Sequence, residues 1–128
     1  MDSYIKVDIT SNSKIFATAS IEITDSKEKV DNYFKDNSFK YKVIVNKNNP
    51  VAIVGKIKIE NYIENDSTKL QSVIKNLYEE LSVLPAKRIF VVLDNSNLDL
   101  KKTILFKSLG LKEEERRMKI LLTFPYTK

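Results

Sequence analysis

The chain contains no cysteine and no histidine. Without cysteine there is no disulfide framework, no thiolate nucleophile and no zinc–thiolate site. Without histidine the commonest general base and metal ligand are missing, so Ser-His-Asp and Cys-His mechanisms are excluded. Glycine occurs only twice, at Gly55 and Gly110. No apolar run is long enough to span a membrane. The opening stretch MDSYIKVDIT lacks the apolar core of a signal peptide. These absences lead us to expect a soluble, cytoplasmic protein, with the nucleus as a second location.

What is present suits one domain, residues 1–128. Apolar residues make up 42% of the 128, enough to bury an interior. The net charge of +5 arises from 22 basic and 17 acidic residues, and the signs are interspersed. The densest charge cluster, KEEERRMK at Lys112–Lys119, carries both signs. The nearest approach to a basic stretch with aromatics between is FKYK, Phe39–Lys42. It reads more simply as a half-buried strand with lysines facing water. No nucleic acid and no membrane is therefore expected as partner.

Periodicity sets the elements. Tyr4–Thr10 and Lys14–Thr24 alternate apolar and polar residues across an SNS turn and predict an antiparallel hairpin. A short helix is expected over Asp25–Asp36, where Val30, Tyr33 and Phe34 share a face. Tyr41–Asn46 and Val51–Glu60 read as strands joined by a turn at Asn46–Pro50. Ser67–Leu84 carries Leu70, Val73, Ile74, Leu77, Leu81 and Leu84 as one helical stripe, with Thr68 and Gln71 as a capping box and Pro85 as the stop. Arg88–Leu93 is apolar without alternation, as a strand buried on both faces should be. A helix Asn97–Leu109 ending at Gly110 and a strand Arg117–Phe124 complete the chain. The order is β-β-α-β-β-α-β-α-β. The crossover from Val51 to Leu93 favours parallel pairing, whereas short turns make the early strands antiparallel. The fold expected is α+β, a mixed sheet flanked by helices. Gly55 in mid-strand marks either a bulge or room for a helix.

The second half, Val51 to Lys128, resembles the coenzyme-A-dependent N-acetyltransferases of the GNAT type. In that family the helix after the central strand opens with a Gln/Arg-x-x-Gly-x-Gly/Ala turn, whose bare backbone amides reach the pyrophosphate. The matching stretch here, NYIENDSTKLQ (Asn61–Gln71), has no glycine and contains Glu64 and Asp66. A glutamate and a tyrosine often serve as base and acid in the family, and Glu60 and Tyr126 are available by type.

A second, non-enzymatic resemblance accommodates the missing loop. GKIKIE (Gly55–Glu60), LQSVIKNLYEEL (Leu70–Leu81), RIFVVLDNSN (Arg88–Asn97), LFKSLGL (Leu105–Leu111) and ILLTFPYT (Ile120–Thr127) are similar in order and spacing to the folded C-terminal part of the ornithine decarboxylase antizymes. That resemblance implies an inhibitor without cofactor, metal or catalytic residues. Its partner would be the ornithine decarboxylase subunit, whose homodimerisation it would block. Antizyme inhibitor and the proteasome would be further partners, and inhibition is better supported than delivery for degradation. The binding face would be the outer side of helix Ser67–Leu84, namely Ser72, Lys75, Asn76, Glu79 and Val83. Lys75 departs from the acidic character that the family has there. On helix Asn97–Leu109, Leu98, Leu105, Phe106 and Leu109 lie on one side. Leu100, Ile104 and Leu111 lie nearly opposite and meet either a partner or a second layer of core. A divergent GNAT-type N-acetyltransferase using acetyl-coenzyme A is the alternative, to be favoured if coenzyme A binds. A nucleic-acid or structural module is the third class, to be favoured if affinity falls steeply with salt.

Overall fold

The structure is a computed structural model that describes residues 2–36, 39, 43–94, 104–109, 112–116 and 119–123. Its centre is a six-stranded sheet in the order β1-β2-β3-β4-β6-β5. The strands are β1 (Ser3–Ser11), β2 (Lys14–Thr24), β3 (Val51–Ile59), β4 (Arg88–Asp94), β5 (Lys112–Arg116) and β6 (Lys119–Thr123). Helix α1 (Lys27–Asp36) lies between β2 and β3; the short α2 (Asn61–Glu64) and the long α3 (Ser67–Ser82) lie between β3 and β4. A helical turn, α4 (104–108), precedes β5. Among the described strands only β3 and β4 pair in parallel; all the other neighbours are antiparallel. The mixed α+β sheet flanked by helices is the fold class that periodicity predicts.

The β1–β2 hairpin turns on Asn12 and Ser13, at φ 51° and 66°. Two positive φ values in a two-residue loop match the right-handed twist of the flanking strands. Asparagine tolerates this conformation; serine pays for the clash of its Cβ with the backbone.

Each face of the sheet has its own core. On one face α3 lays Leu70, Val73, Ile74, Leu77 and Leu81 over Ala17, Ala19, Ala52, Val54, Ile89 and Val91, and Phe106 of α4 joins them. On the other face α1 brings Val30 and Phe34 onto Val51, Ile53 and Phe90. There the Phe34 and Phe90 rings meet edge to face, 5.0 Å apart at 88°. Alternation explains the division: Ala52 and Val54 point to one side, Val51 and Ile53 to the other. Ile89, Phe90 and Val91 are all buried, which accounts for the unbroken apolar run of β4.

Three expectations need correction, and one strand is unexpected. Tyr41–Asn46 forms no strand over its described part, Val43–Asn46; Val45 and Phe39 pack as irregular chain against α1, and an isolated bridge joins Asn46 to Asn49. Both edges of β3 are already taken, by β2 and β4, so the expected hairpin partner has no edge of β3 to join. The charge-rich Lys112–Arg116, to which periodicity assigns no element, pairs with β6 as a sheet edge, a place where charged residues are common. Glu60 leaves β3 to start the unexpected α2. The long helix is capped by Asp66 rather than by Thr68. Most of helix Asn97–Leu109, including Leu98 and Leu100, lies outside the described residues, as do Gly110, Leu111 and the ends of the expected last strand.

Two stability measurements follow. Leu77→Ala should cost about 2–5 kcal/mol in urea unfolding, because Leu77 is fully buried between α3 and the sheet. Ser13→Gly should stabilise by about 1 kcal/mol by removing the Cβ clash at positive φ. An unchanged or lower urea midpoint for Ser13→Gly would contradict the turn geometry.

Candidate functional site

The parallel pair is short. Val51↔Arg88, Ala52↔Ile89, Ile53↔Phe90 and Val54↔Val91 pair, yet β3 runs on to Ile59 and β4 to Asp94. Beyond Val54 and Val91 the two strands no longer bond each other, while β3 stays paired with β2 and β4 with β6, which leaves a cleft of unpaired strand edges between them. On its other edge β3 stays paired with β2, but the register slips: Ile21 faces Val54 and Ser20 faces Lys56. Gly55 is left over, so the bulge lies at the first residue past the last parallel pair.

The bulge has a packing reason. Upstream of it Ala52 and Val54 face α3; downstream Ile57 and Ile59 do. The odd step through Gly55 restores phase with Ala17, Ala19, Ile21 and Ile23 of β2, which keep one uninterrupted alternation. Glycine is not demanded by space, since a Cβ there would meet only the Ser20 carbonyl at 3.9 Å. The bulge reading of Gly55 is therefore the one that holds.

Beside the cleft, on the α1 face, lies an open cavity of about 490 Å³. Tyr4, Lys6, Ser20, Glu22, Tyr33, Ile53 and Gly55 line it. Glu22 is oriented by Lys29, whose Nζ donates to it at 3.0 Å and also to Asp2. Hydrogen bonds from Lys29 and from Thr24 hold the Asp2 carboxyl below its ordinary value, and the same acceptors raise Lys29. Burial pushes the Tyr33 phenol up, so the wall it forms is neutral at any physiological pH. The cavity thus offers one carboxylate, one lysine and hydroxyl groups around the bulge.

The start of α3 is closed in a different way. Asp66 is its N-cap: the side chain accepts from the Lys69 N–H at 3.1 Å, and the Asp66 carbonyl takes the Leu70 N–H at 2.8 Å. The Asn65 and Asp66 N–H groups donate back to Asn61 and Ile63, both at 3.1 Å. Helix α2 is anchored as well. Ile63 is fully buried, Tyr62 stacks edge-on against Phe16 at 6.0 Å, and the Glu60 N–H donates to the Phe16 carbonyl at 3.0 Å. The stretch Glu60–Asp66 holds three carboxylates and no basic residue.

A coenzyme A pyrophosphate does not fit this helix start. Its amide at Lys69 already has an anion, the chain's own. A folded turn occupies the approach, and like unit charges about 4 Å apart near a protein surface repel by about 4 kcal/mol.

The interface residues expected on α3 are placed on its outer side: Ser72, Lys75, Asn76 and Glu79 are exposed, and Val83 is 77% exposed just past the helix end. Ile104 of α4 is 65% exposed while Phe106 is buried. The structure does not bring Glu60 to the cavity, and Tyr126 is outside the described residues. The cavity residues Glu22 and Lys6 escape a reading by motif because they sit on two strands and meet only through cross-strand pairing, Tyr4 with Glu22 and Lys6 with Ser20. The signal for the bulge was present as the phase break between Val54 and Ile57.

No family model matches the chain, and no curated protein sequence matches it significantly. Solved structures do. The chain is similar to the ribosomal-protein-S18-alanine N-acetyltransferase of Escherichia coli, at TM-score 0.59 and 16% identity, over 98% of this chain and 70% of that one. It is similar to Arabidopsis thaliana NAA60 in complex with a bisubstrate analogue, at TM-score 0.53 and 8% identity, over 94% and 74%. It is also similar to a GNAT-family acetyltransferase of Streptococcus pneumoniae, at TM-score 0.51 and 14% identity, over 98% and 67%. At these identities the likeness establishes the fold. It corrects the antizyme resemblance, because the neighbours are N-acetyltransferases. The expectations of a non-enzymatic inhibitor, of polyamine control and of proteasomal delivery go with it. Over their described residues the antizyme-like segments are strands and helices of the acetyltransferase-like fold, and a shared fold made them look specific.

Asp66→Ala should destabilise the protein by about 1 kcal/mol, the usual cost of losing a side-chain N-cap, as measured by chemical denaturation. Asp66→Ser, which can still cap, should lose less than half of that.

Proposed function

We propose that this chain is a divergent acyltransferase of the GNAT type, moving an acyl group from a thioester to an amine. The observation that carries the proposal is the cleft: β3 and β4 stop pairing after Val54 and Val91, with the Gly55 bulge and the cavity at the opening. Diverging strand edges no longer bond each other, so an extended, amide-bearing arm can hydrogen-bond along them as an added strand would. A thioester at the end of such an arm would lie beside the bulge. The cavity on the α1 face gives an acceptor a separate approach to the same point.

The transfer needs little from the protein beyond positioning. The amine nitrogen attacks the thioester carbonyl carbon; the C–N bond forms and the C–S bond breaks. The nitrogen gives up its proton, and the departing sulfur ends as a thiol. Holding both reactants at one point removes much of the entropic barrier. Glu22 attracts a cationic acceptor into the cavity by charge-assisted hydrogen bonding. The neighbouring N-acetyltransferase structures support this reading through their fold.

The absence of cysteine makes the assay clean, because every thiol titrated comes from the donor. Thiol release from acyl thioesters should depend on added amine, with N-terminal peptides and small amines as acceptors. Glu22→Gln should lower kcat/KM for a cationic acceptor roughly 10–100-fold, the value of one charged hydrogen bond, with little change in melting temperature. Absence of amine-dependent thiol release from every thioester offered would refute the proposal.

A further inference from the structure

The cleft that suits a thioester arm and the helix start that refuses a pyrophosphate belong to the same β3–α3 unit. Resting on the acyltransferase reading above, we propose that the donor is a thioester on a pantetheine-type arm recognised without its nucleotide. The pyrophosphate and adenosine of coenzyme A then contribute nothing to recognition.

Three independent features converge on this. First, the α3 start already holds an anion of its own: the Asp66 carboxylate takes the Lys69 amide at 3.1 Å, and the Asn65 and Asp66 amides just before the helix are spent on α2 carbonyls. Amides already bonded within the chain do not form an anion cradle. Second, α2 is packed in place by buried Ile63 and by the Tyr62–Phe16 contact. Opening the turn would expose Ile63 and break that packing, so a nucleotide cannot cheaply displace it. Third, Glu60, Glu64 and Asp66 make the approach acidic, while a nucleotide carries several negative charges. None of these features touches the cleft itself. There the register of β2, β3 and β4 alone fixes the bulge and the divergence.

The arm's chemistry follows from what the cleft offers. Strand edges recognise amides, and a pantetheine arm carries two amides between its thiol and its far end. The source of such an arm is either a free pantetheine thioester or the prosthetic arm of an acyl carrier protein. Both share the chemistry recognised here. The reaction is unchanged: acyl carbon leaves sulfur for nitrogen, and the arm departs as a free thiol.

The test compares S-acetyl-pantetheine, acetyl-coenzyme A and an acetylated acyl carrier protein in the thiol-release assay with one amine. The expected kcat/KM for acetyl-pantetheine exceeds that for acetyl-coenzyme A by about tenfold or more, and adenosine 3′,5′-bisphosphate does not inhibit. Asp66→Ser should raise kcat/KM for acetyl-coenzyme A roughly tenfold, through loss of one repelling charge, and leave acetyl-pantetheine unchanged. A wild-type preference for acetyl-coenzyme A of about 100-fold or more, with competition by the bisphosphate, overturns this inference and leaves the acyltransferase reading standing. No transfer from any of the three donors overturns both. A carrier-protein rate above that of acetyl-pantetheine identifies the protein-bound source, and an equal or lower rate the free one; either supports the inference.

Discussion

The structure turns on four residue pairs, Val51–Val54 of β3 against Arg88–Val91 of β4. Parallel neighbours cannot be joined by a tight turn, so this pairing requires a crossover. The crossover is α3, and its leucine stripe covers one face of the sheet. The strands beneath alternate, so their remaining apolar residues, Val51, Ile53 and Phe90, need cover on the other face. The segment between β2 and β3 provides it: α1 supplies Val30 and Phe34. Phe39 and Val45 follow in irregular chain, because β3 has no free edge left to extend.

The same pairing determines where chemistry can occur. Were β3 and β4 bonded along their whole lengths, the sheet would be closed and featureless at its centre. Pairing stops after Val54 and Val91, and the extra residue at Gly55 bends β3 at that point. A bulge is commonly found where a side chain or strand must be re-aimed near a site. Here its necessity comes from packing, since β3 must change phase to stay in register with β2. The packing solution and the candidate site are thus one feature.

Fold and anion binding separate at the start of α3. A helix N-terminus exposes amides that attract an anion. In this chain the anion is Asp66, and α2 closes the space in front of it. The helix gains stability from its cap and loses the capacity to hold a pyrophosphate. The acetyltransferase-like sheet is kept with its cleft, while the part that would grip a nucleotide is converted into ordinary helix capping. The antizyme resemblance misled for a related reason. The segments that carried it are strands and helices that any chain of this fold needs, and the missing glycine turn was read as a missing enzyme. The structure shows a cleft that does not depend on that turn.

The strongest local patterns sufficed for the hairpin at Tyr4–Thr24, the stripe of α3, the two-sided burial of Ile89–Val91 and the α+β class. Each rests on periodicity or on a capping preference carried within a few neighbouring residues. The acidic, glycine-free stretch before α3 was legible too, because charge and the presence of a Cβ are properties of the residues themselves. Other features could not be read this way. Val43–Val45 has strand-forming residues, but whether it pairs depends on a free edge elsewhere. Lys112–Arg116 shows no apolar alternation, but it is a strand because β6 lies beside it. Glu22, Lys6 and Gly55 share a cavity only through the pairing of three strands. Local sequence determined which elements can form; long-range pairing, where one strand's partners exclude another's, decided which of them joined the sheet and where it opened.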